Sequence, residues 1–204
     1  MTDSPRPGAG IALFDFDDTL VAGDSMPRFL KELLGVTRAR LAMAGAVVRA
    51  LAGCVAGHPA GVDFPGSIKA ELLHATLAGV AVTDAQATAR RLKPRLIWLT
   101  PQLQALRNHA AAGRRVVVVS GALDVYLPIL LEGLPVHDVL ATDLACHDGR
   151  LTGRLAGVNC VRRAKAACVQ AFLAAHAPTG PTWGYGNRPH DLPMLALVDH
   201  PTVV

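Results

Sequence analysis

A chain of 204 residues is long enough for one sizeable core, or one core plus an insert, and too short for two ordinary domains. Hydrophobic residues at 51% and charged ones at 18% exclude a disordered or fibrous chain. A formal charge of +4 spread without any Lys/Arg block excludes a nucleic-acid arm.

Residues 1–10, MTDSPRPGAG, place Pro, Gly and polar groups where an export signal needs an apolar centre, so they read as a flexible lead on a cytoplasmic chain. The four cysteines Cys54, Cys146, Cys160 and Cys168 form no C-x-x-C pair and read as buried thiols in a reducing compartment. The next stretch, 11–20 (IALFDFDDTL), predicts a strand over 11–15 that runs into three carboxylates, Asp15, Asp17 and Asp18. Extended backbone alternates its side chains, which puts Phe14 and Phe16 on one face and Asp15 and Asp17 on the other. Two like charges converging on one point repel unless a cation joins them or a proton is shared, so the pattern points to metal binding or acid/base chemistry. A cap cluster at a strand-to-loop turn is the alternative.

From Gly23 to Arg95 the chain turns Ala/Leu-rich and predicts helices over 27–34, 38–55, 67–78 and 84–92, broken at 53–66 and before Pro94. About seventy residues is too long for an ordinary connection, so the segment reads as a lid. It carries ten Lys/Arg against five Asp/Glu. A basic lid over an acidic floor would draw in anionic substrates; an ordinary solvated surface is the alternative. Within it, 41–57 (LAMAGAVVRALAGCVAG) is apolar enough to raise membrane contact. Arg49 interrupts it and roughly seventeen residues barely reach spanning length, so a buried helix is the favoured expectation.

After Thr100 the alternation returns: a helix (101–112), a strand (115–119), a helix (123–131), a strand near 139–142, a hairpin turning at Asp148-Gly149, a helix (161–175), a strand (182–185), a helix (191–198) and an apolar end, 202–204. Such alternation implies a parallel sheet with helices on both faces. Ligands in such sheets bind at the carboxyl ends of strands. Ser120-Gly121 follows the valine run 116–119 there, and next to the first amides of a helix it suits a phosphate or a plain turn. Lys165 lies on the apolar stripe of Val161, Ala164, Cys168 and Phe172, where an ammonium needs an anion beside it or a route to the surface. In 184–195 (GYGNRPHDLPML), Gly186 permits a turn while Asn187 and Asp191 offer oxygens or a helix cap.

Together and in this order, these residues resemble the haloacid dehalogenase-like (HAD) superfamily of phosphohydrolases, in its phosphoserine-phosphatase-like subgroup. The D-x-D-x-T motif stands at Asp15-Phe16-Asp17-Asp18-Thr19, followed by Ser120 at a strand end, Lys165 on a later helix and an acidic loop after the last main strand; DGRLTG and DLPML are also similar to this subgroup. The resemblance implies an α/β fold: a Rossmann-like parallel core over 10–21 and 96–204, with a helical cap at 22–95. It implies a Mg²⁺-dependent phosphomonoester hydrolase that forms an aspartyl-phosphate on a small or lipid-linked metabolite. A receiver-like or non-catalytic phosphate-binding protein, or a phosphotransferase, is the alternative.

In that reading Asp15 is the nucleophile and Asp17 the acid/base. Asp15, the Asp17 carbonyl, Asn187 and Asp191 hold Mg²⁺. Asp18, Thr19, Ser120 and Gly121 cradle the phosphoryl group with Lys165, which also offsets the charge on Asp15. Asp24 touches the substrate from the cap side, or caps a helix with Ser25. Three departures stand out: Asn187 where Asp is usual, which lowers the site's negative charge; His190 where Asn is usual; and Lys69, flanked by Glu71, where the cap should supply an arginine for a carboxylate. The last makes phosphoserine a poor candidate. The chain also stops at Val204, short of a further strand and helix that the family pattern implies.

Overall fold

The structure is a computed structural model that describes residues 5–6, 8–55 and 64–204; the side chains of Cys54 and Val55, Asp63 and the end of the apolar 41–57 segment lie outside the described residues. Strand β1 (Ile11–Phe14) is apolar and buried at every position, as the central strand of a sheet covered on both faces must be. It pairs in parallel with β2 (Arg115–Leu123) on one side and β6 (Thr182–Gly186) on the other. β3 (Asp138–Thr142) and β7 (His200–Val203) complete a five-stranded parallel sheet in the order β3-β2-β1-β6-β7. Phe14 lies opposite Val118 and Tyr185, so the residues that follow these three strands emerge at one edge.

Alternation divides the core. Ala12, Phe14, Val116 and Val118 face one apolar layer, and Ile11, Leu13, Val117 and Val119 face the other. The first layer continues into helices α1 (Ser25–Leu34), α3 (Phe64–Leu77), α4 (Val82–Leu92) and α6 (Leu127–Leu131). The second is covered by α7 (Arg162–His176) and α8 (Leu192–Leu195). Aromatic rings reinforce the first layer: Phe14 stacks on Tyr185 at 4.4 Å, and Trp183 lies between His200 and the Arg114 guanidinium, which is 3.8 Å from the ring centre.

Helices α1, α2 (Val36–Val55), α3 and α4 lie between β1 and α5 (Thr100–Ala111). The chain leaves the sheet past Val21 and returns at Trp98, and these two residues form a β-bridge; Trp98 also sets its edge against Phe16 at 6.0 Å. The hairpin β4 (Leu144–His147) and β5 (Arg150–Leu155) clasps the inserted helices from the other side. Gly79 and Val80 exchange backbone hydrogen bonds with Leu151, and Arg150 donates to the Gly79 carbonyl. Its turn takes φ 48° at Asp148 and 72° at Gly149, the two positive values that the Asp-Gly pair predicts.

Several expectations need correction. β1 ends at Phe14. β2 does not stop at Val119 but continues through Ser120 to Leu123, which pairs with Thr142 after an irregularity in register. Helix α6 therefore begins only at Leu127, with Pro128 in its first turn, and its first amides are not beside Ser120. α8 is one turn instead of 191–198, and β7 begins at His200. Cys146 is exposed, whereas Cys160 is buried. The favoured burial of the apolar 41–57 helix also fails: α2 buries Ala39, Ala46 and Ala50 and leaves Leu41, Val48 and Leu51 in solvent.

Candidate active site

The acidic motif sits where β1 gives out. Asp15 donates its backbone N–H to the Tyr185 carbonyl, which keeps it on the strand's line, and the chain then turns so that Thr19, Leu20 and Val21 donate back to the Phe16 carbonyl. Phe16 and Leu20 are fully buried and anchor this turn, and Asp18 takes φ 56° at its apex. Asp15, only 4% exposed, projects into a cavity of about 450 Å³ together with Asp17, Ser120, Lys165, Asn187 and Asp191.

Lys165 organises the floor. Its Nζ lies 2.6 Å from Asp15 Oδ1 and 2.6 Å from Asp191 Oδ1, with all three side chains buried. Burial alone would lower the lysine's pKa, but the two carboxylates hold it above its ordinary value. Burial raises Asp15 to about 6; Lys165 opposes that shift and Asp191 adds to it. Gly186 is required at the adjoining turn, since a Cβ there would stand 2.6 Å from the Asp191 Cβ. Asp191 Oδ2 in turn accepts the Asn187 backbone N–H at 2.9 Å, which fixes the loop that carries both residues.

Asp17 is held differently. Its Oδ1 accepts the Ser25 backbone N–H at 2.8 Å at the start of α1, and the Ser25 hydroxyl lies 3.2 Å from the Tyr126 hydroxyl. Burial raises the Asp17 carboxyl to about 7, with Asp24 contributing by like charge. Near neutral pH this carboxyl is poised between its protonated and ionised forms, as a group able to give and take a proton must be.

The remaining predicted residues divide. Thr19 is fully buried, and its hydroxyl has no hydrogen-bond partner among the described residues, although it lies near enough to favour the ionised form of Asp15. The Ser120 hydroxyl accepts from the Ala122 amide at 3.1 Å, so its own proton is directed elsewhere. The Gly121 carbonyl accepts from Lys69 and Thr142. Asp18 lines the cavity but is exposed, and its carboxylate accepts the Gly23 amide. Asp24 lines the cavity, and its carboxylate caps α1 by accepting the Met26 amide, which is the capping alternative read from its position.

The sequence reading placed Lys69 in the cap but not its contacts. Lys69 of α3 crosses to the sheet edge, donating to the Gly121 carbonyl at 2.8 Å and to Asn159 Oδ1 at 2.5 Å. Asn159, in the loop before α7, was not anticipated. Burial lowers Lys69 to about 8, opposed by Asp24. Glu71 does not flank Lys69 in space; it pairs with Arg49 at 2.8 Å. The Ser25–Tyr126 pair behind Asp17 was missed as well.

The oxygens suit a small hard cation. Asp15 and Asp191 offer carboxylates, and the Asn187 Nδ2 donates to the Asp17 carbonyl at 3.0 Å, which brings the Asn187 side chain and that carbonyl oxygen to one place. Three aspartates around a single floor lysine leave an excess of negative charge when ionised, which a divalent ion offsets. Among the described residues no group of three His, Cys, Asp or Glu side chains is gathered closely enough to hold an ion alone, so the fit rests on this mixed set of oxygens.

Comparison with known proteins agrees with this geometry. The family model described as haloacid dehalogenase-like hydrolase matches residues 12–196. Protein CicA of Caulobacter vibrioides is 32% identical over 194 residues, spanning 93% of this chain and 83% of that protein. A crystal structure of a protein of unknown function from Bordetella pertussis Tohama I superposes with a TM-score of 0.74 at 22% identity, covering 95% of this chain and 89% of that one. A phospho-aspartyl intermediate analogue of phosphoserine phosphatase superposes with a TM-score of 0.62 at 19% identity, covering 95% and 85%. Matched across nearly its whole length, the chain belongs to the haloacid dehalogenase-like hydrolase family.

Proposed function

We propose that this chain is a Mg²⁺-dependent phosphomonoester hydrolase that works through an aspartyl-phosphate on Asp15, with α1–α4 serving as its cap. The observation that carries the reading is the buried Asp15–Lys165–Asp191 bridge, set beside a protonatable Asp17 in one open cavity. Mg²⁺, held by Asp15, Asp191, the Asp17 carbonyl and Asn187, would screen the incoming anion from the carboxylates. The Asp15 carboxylate attacks phosphorus as the bond to the leaving oxygen breaks, and Asp17 gives that oxygen its proton. Asp17 then takes a proton from the water that attacks the acyl phosphate, which frees inorganic phosphate and restores Asp15. Lys165, Thr19 and Ser120 hold the phosphoryl oxygens, with Asp18 and Gly121 completing the cradle from the backbone.

The cap side argues against phosphoserine. Lys69 stands where an arginine would meet a carboxylate, and two of its three protons already serve Gly121 and Asn159. Asp24 on the rim suits a hydroxyl or amine of the leaving group instead.

The test is phosphate release from an aryl phosphate with Mg²⁺, with and without chelator, combined with acid quenching to trap a phosphoryl group on the protein. Release that survives chelation, or a quenched enzyme that never carries phosphate, would sink the mechanism. The two raised carboxyls set a pH profile. Asp15 must be ionised and Asp17 protonated; Mg²⁺ on Asp15 favours its ionised form and moves the acid limb below about 6, so at saturating Mg²⁺ kcat/KM is expected to fall once pH passes about 7. Asp17→Asn should lower kcat by roughly 10²–10⁴-fold and erase the alkaline limb; a variant that keeps that limb would assign it to another group. Lys69→Met removes the tie between α3 and the sheet edge. Steady-state kinetics on the same ester are expected to show KM raised about tenfold with kcat nearly unchanged, the pattern of lost uniform binding.

A further inference from the structure

Helix α2 has two unlike faces. Ala39, Ala46 and Ala50 are buried against its neighbours. On the opposite side Leu41, Val48 and Leu51 are 68%, 65% and 50% exposed, with the exposed Ala44 and Ala52 between and beside them. These positions recur three, four and seven apart, which on an α-helix makes one continuous stripe. At 3.6 residues per turn Arg40 falls on one flank of the stripe and Arg38 and Arg49 on the other. The twenty-residue helix contains no Asp or Glu. Arg49 is held by Glu71, whereas Arg38 and Arg40 are exposed.

An apolar stripe edged by arginines and free of acids is the pattern of a helix that lies in a lipid interface, its aliphatic side chains below the headgroups and its guanidinium groups among phosphates. We propose that this face of α2 docks on an anionic lipid bilayer, with the helix parallel to the surface. Charge complementarity selects that occupant over a second copy of the chain. A two-fold contact through the stripe would set each copy's Arg38 and Arg40 against a partner face that offers no acid from α2 to meet them. Among the described residues no helix is long and apolar enough to cross a membrane, and the stripe covers one side of α2 only. The docking is independent of the chemistry assigned to the cavity, to which neither Leu41, Val48, Arg38 nor Arg40 contributes.

The experiment is sedimentation of the full chain with vesicles of phosphatidylcholine alone and of phosphatidylcholine with phosphatidylglycerol, at low and high salt. Binding is expected with the anionic vesicles and is expected to weaken as salt is raised. L41S/V48S should reduce the vesicle partition coefficient by about tenfold. R38Q/R40Q should reduce it by about fivefold for each arginine. Both variants should keep the circular dichroism spectrum and aryl-phosphate hydrolysis of the parent. In the unsubstituted chain, anionic vesicles should also protect the bonds after Arg38 and Arg40 from trypsin. Equal partition onto neutral and anionic vesicles, undiminished binding by L41S/V48S, or vesicles that leave both bonds open to trypsin would overturn the proposal. A concentration-dependent dimer that L41S/V48S dissolves, without vesicle binding, would overturn it in favour of a second copy.

Discussion

Asp15→Asn is expected to abolish phosphate release, by about 10⁴-fold or more in kcat, while the protein still folds. The amide has nearly the shape of the carboxylate, and its oxygen can still accept from Lys165, which keeps Asp191 as a charged partner at 2.6 Å. In the proposed mechanism, what disappears is the nucleophile and the covalent step that depends on it. The measurement is steady-state release from an aryl phosphate beside an acid-quench assay for bound phosphate, with circular dichroism to verify the fold. A variant that retains activity within tenfold of the parent would place the attacking group elsewhere. Asp17 would then be the first candidate, since it opens on the same cavity.

Lys165→Met should be the most destabilising substitution in the site. It leaves Asp15 and Asp191 buried with no cation between them, and removing one partner from such a bridge costs about 3–5 kcal/mol. The effect has a sign in pH. Burial already raises Asp15 to about 6 against the opposing pull of Lys165, so without the lysine its folded pKa moves further above the unfolded one, and stability present in acid is lost as pH climbs through the raised value. Urea denaturation in chelator should therefore show a small deficit near pH 4 and the full deficit near pH 8. Activity should fall about a thousandfold, because in the proposed mechanism the same ammonium holds the phosphoryl oxygens. A variant as stable as the parent at neutral pH would mean that Asp15 and Asp191 do not share this charge.

How much of this was legible in the sequence depends on whether the deciding contact is local. The acidic motif was readable because five consecutive residues carry both the turn and the chemistry, and Phe14 and Phe16 do face the same core layer. Lys165 was readable because a lysine on an apolar stripe demands an anion, although the stripe could not say that two would meet it. Lys69 and Asn159 were not readable as a pair. They lie ninety positions apart, and the contact forms across the packing of α3 on the sheet edge, which neither local stretch encodes. The end of β2 was misjudged for a related reason: Ser-Gly is turn-like by itself, but pairing with β3 carries the strand past it to Leu123. In α2 the apolar composition suggested burial, whereas the helical positions of its three arginines already separated an inner face from an outer one.

The placement of the chain's two tryptophans gives the molecule a pair of internal fluorescent reporters. Trp98 closes the junction where the inserted helices leave and rejoin the sheet, against Phe16 of the acidic turn. Trp183 belongs to β6 and lies under the Arg114 guanidinium, next to His109, whose burial and the neighbouring Arg114 lower it to about 4 and keep it neutral. Emission from Trp98 therefore follows the seating of the insertion, and emission from Trp183 follows the integrity of the sheet. Separated by single Trp→Phe replacements, the two signals would show whether the insertion loosens before the sheet melts or the whole chain comes apart at once.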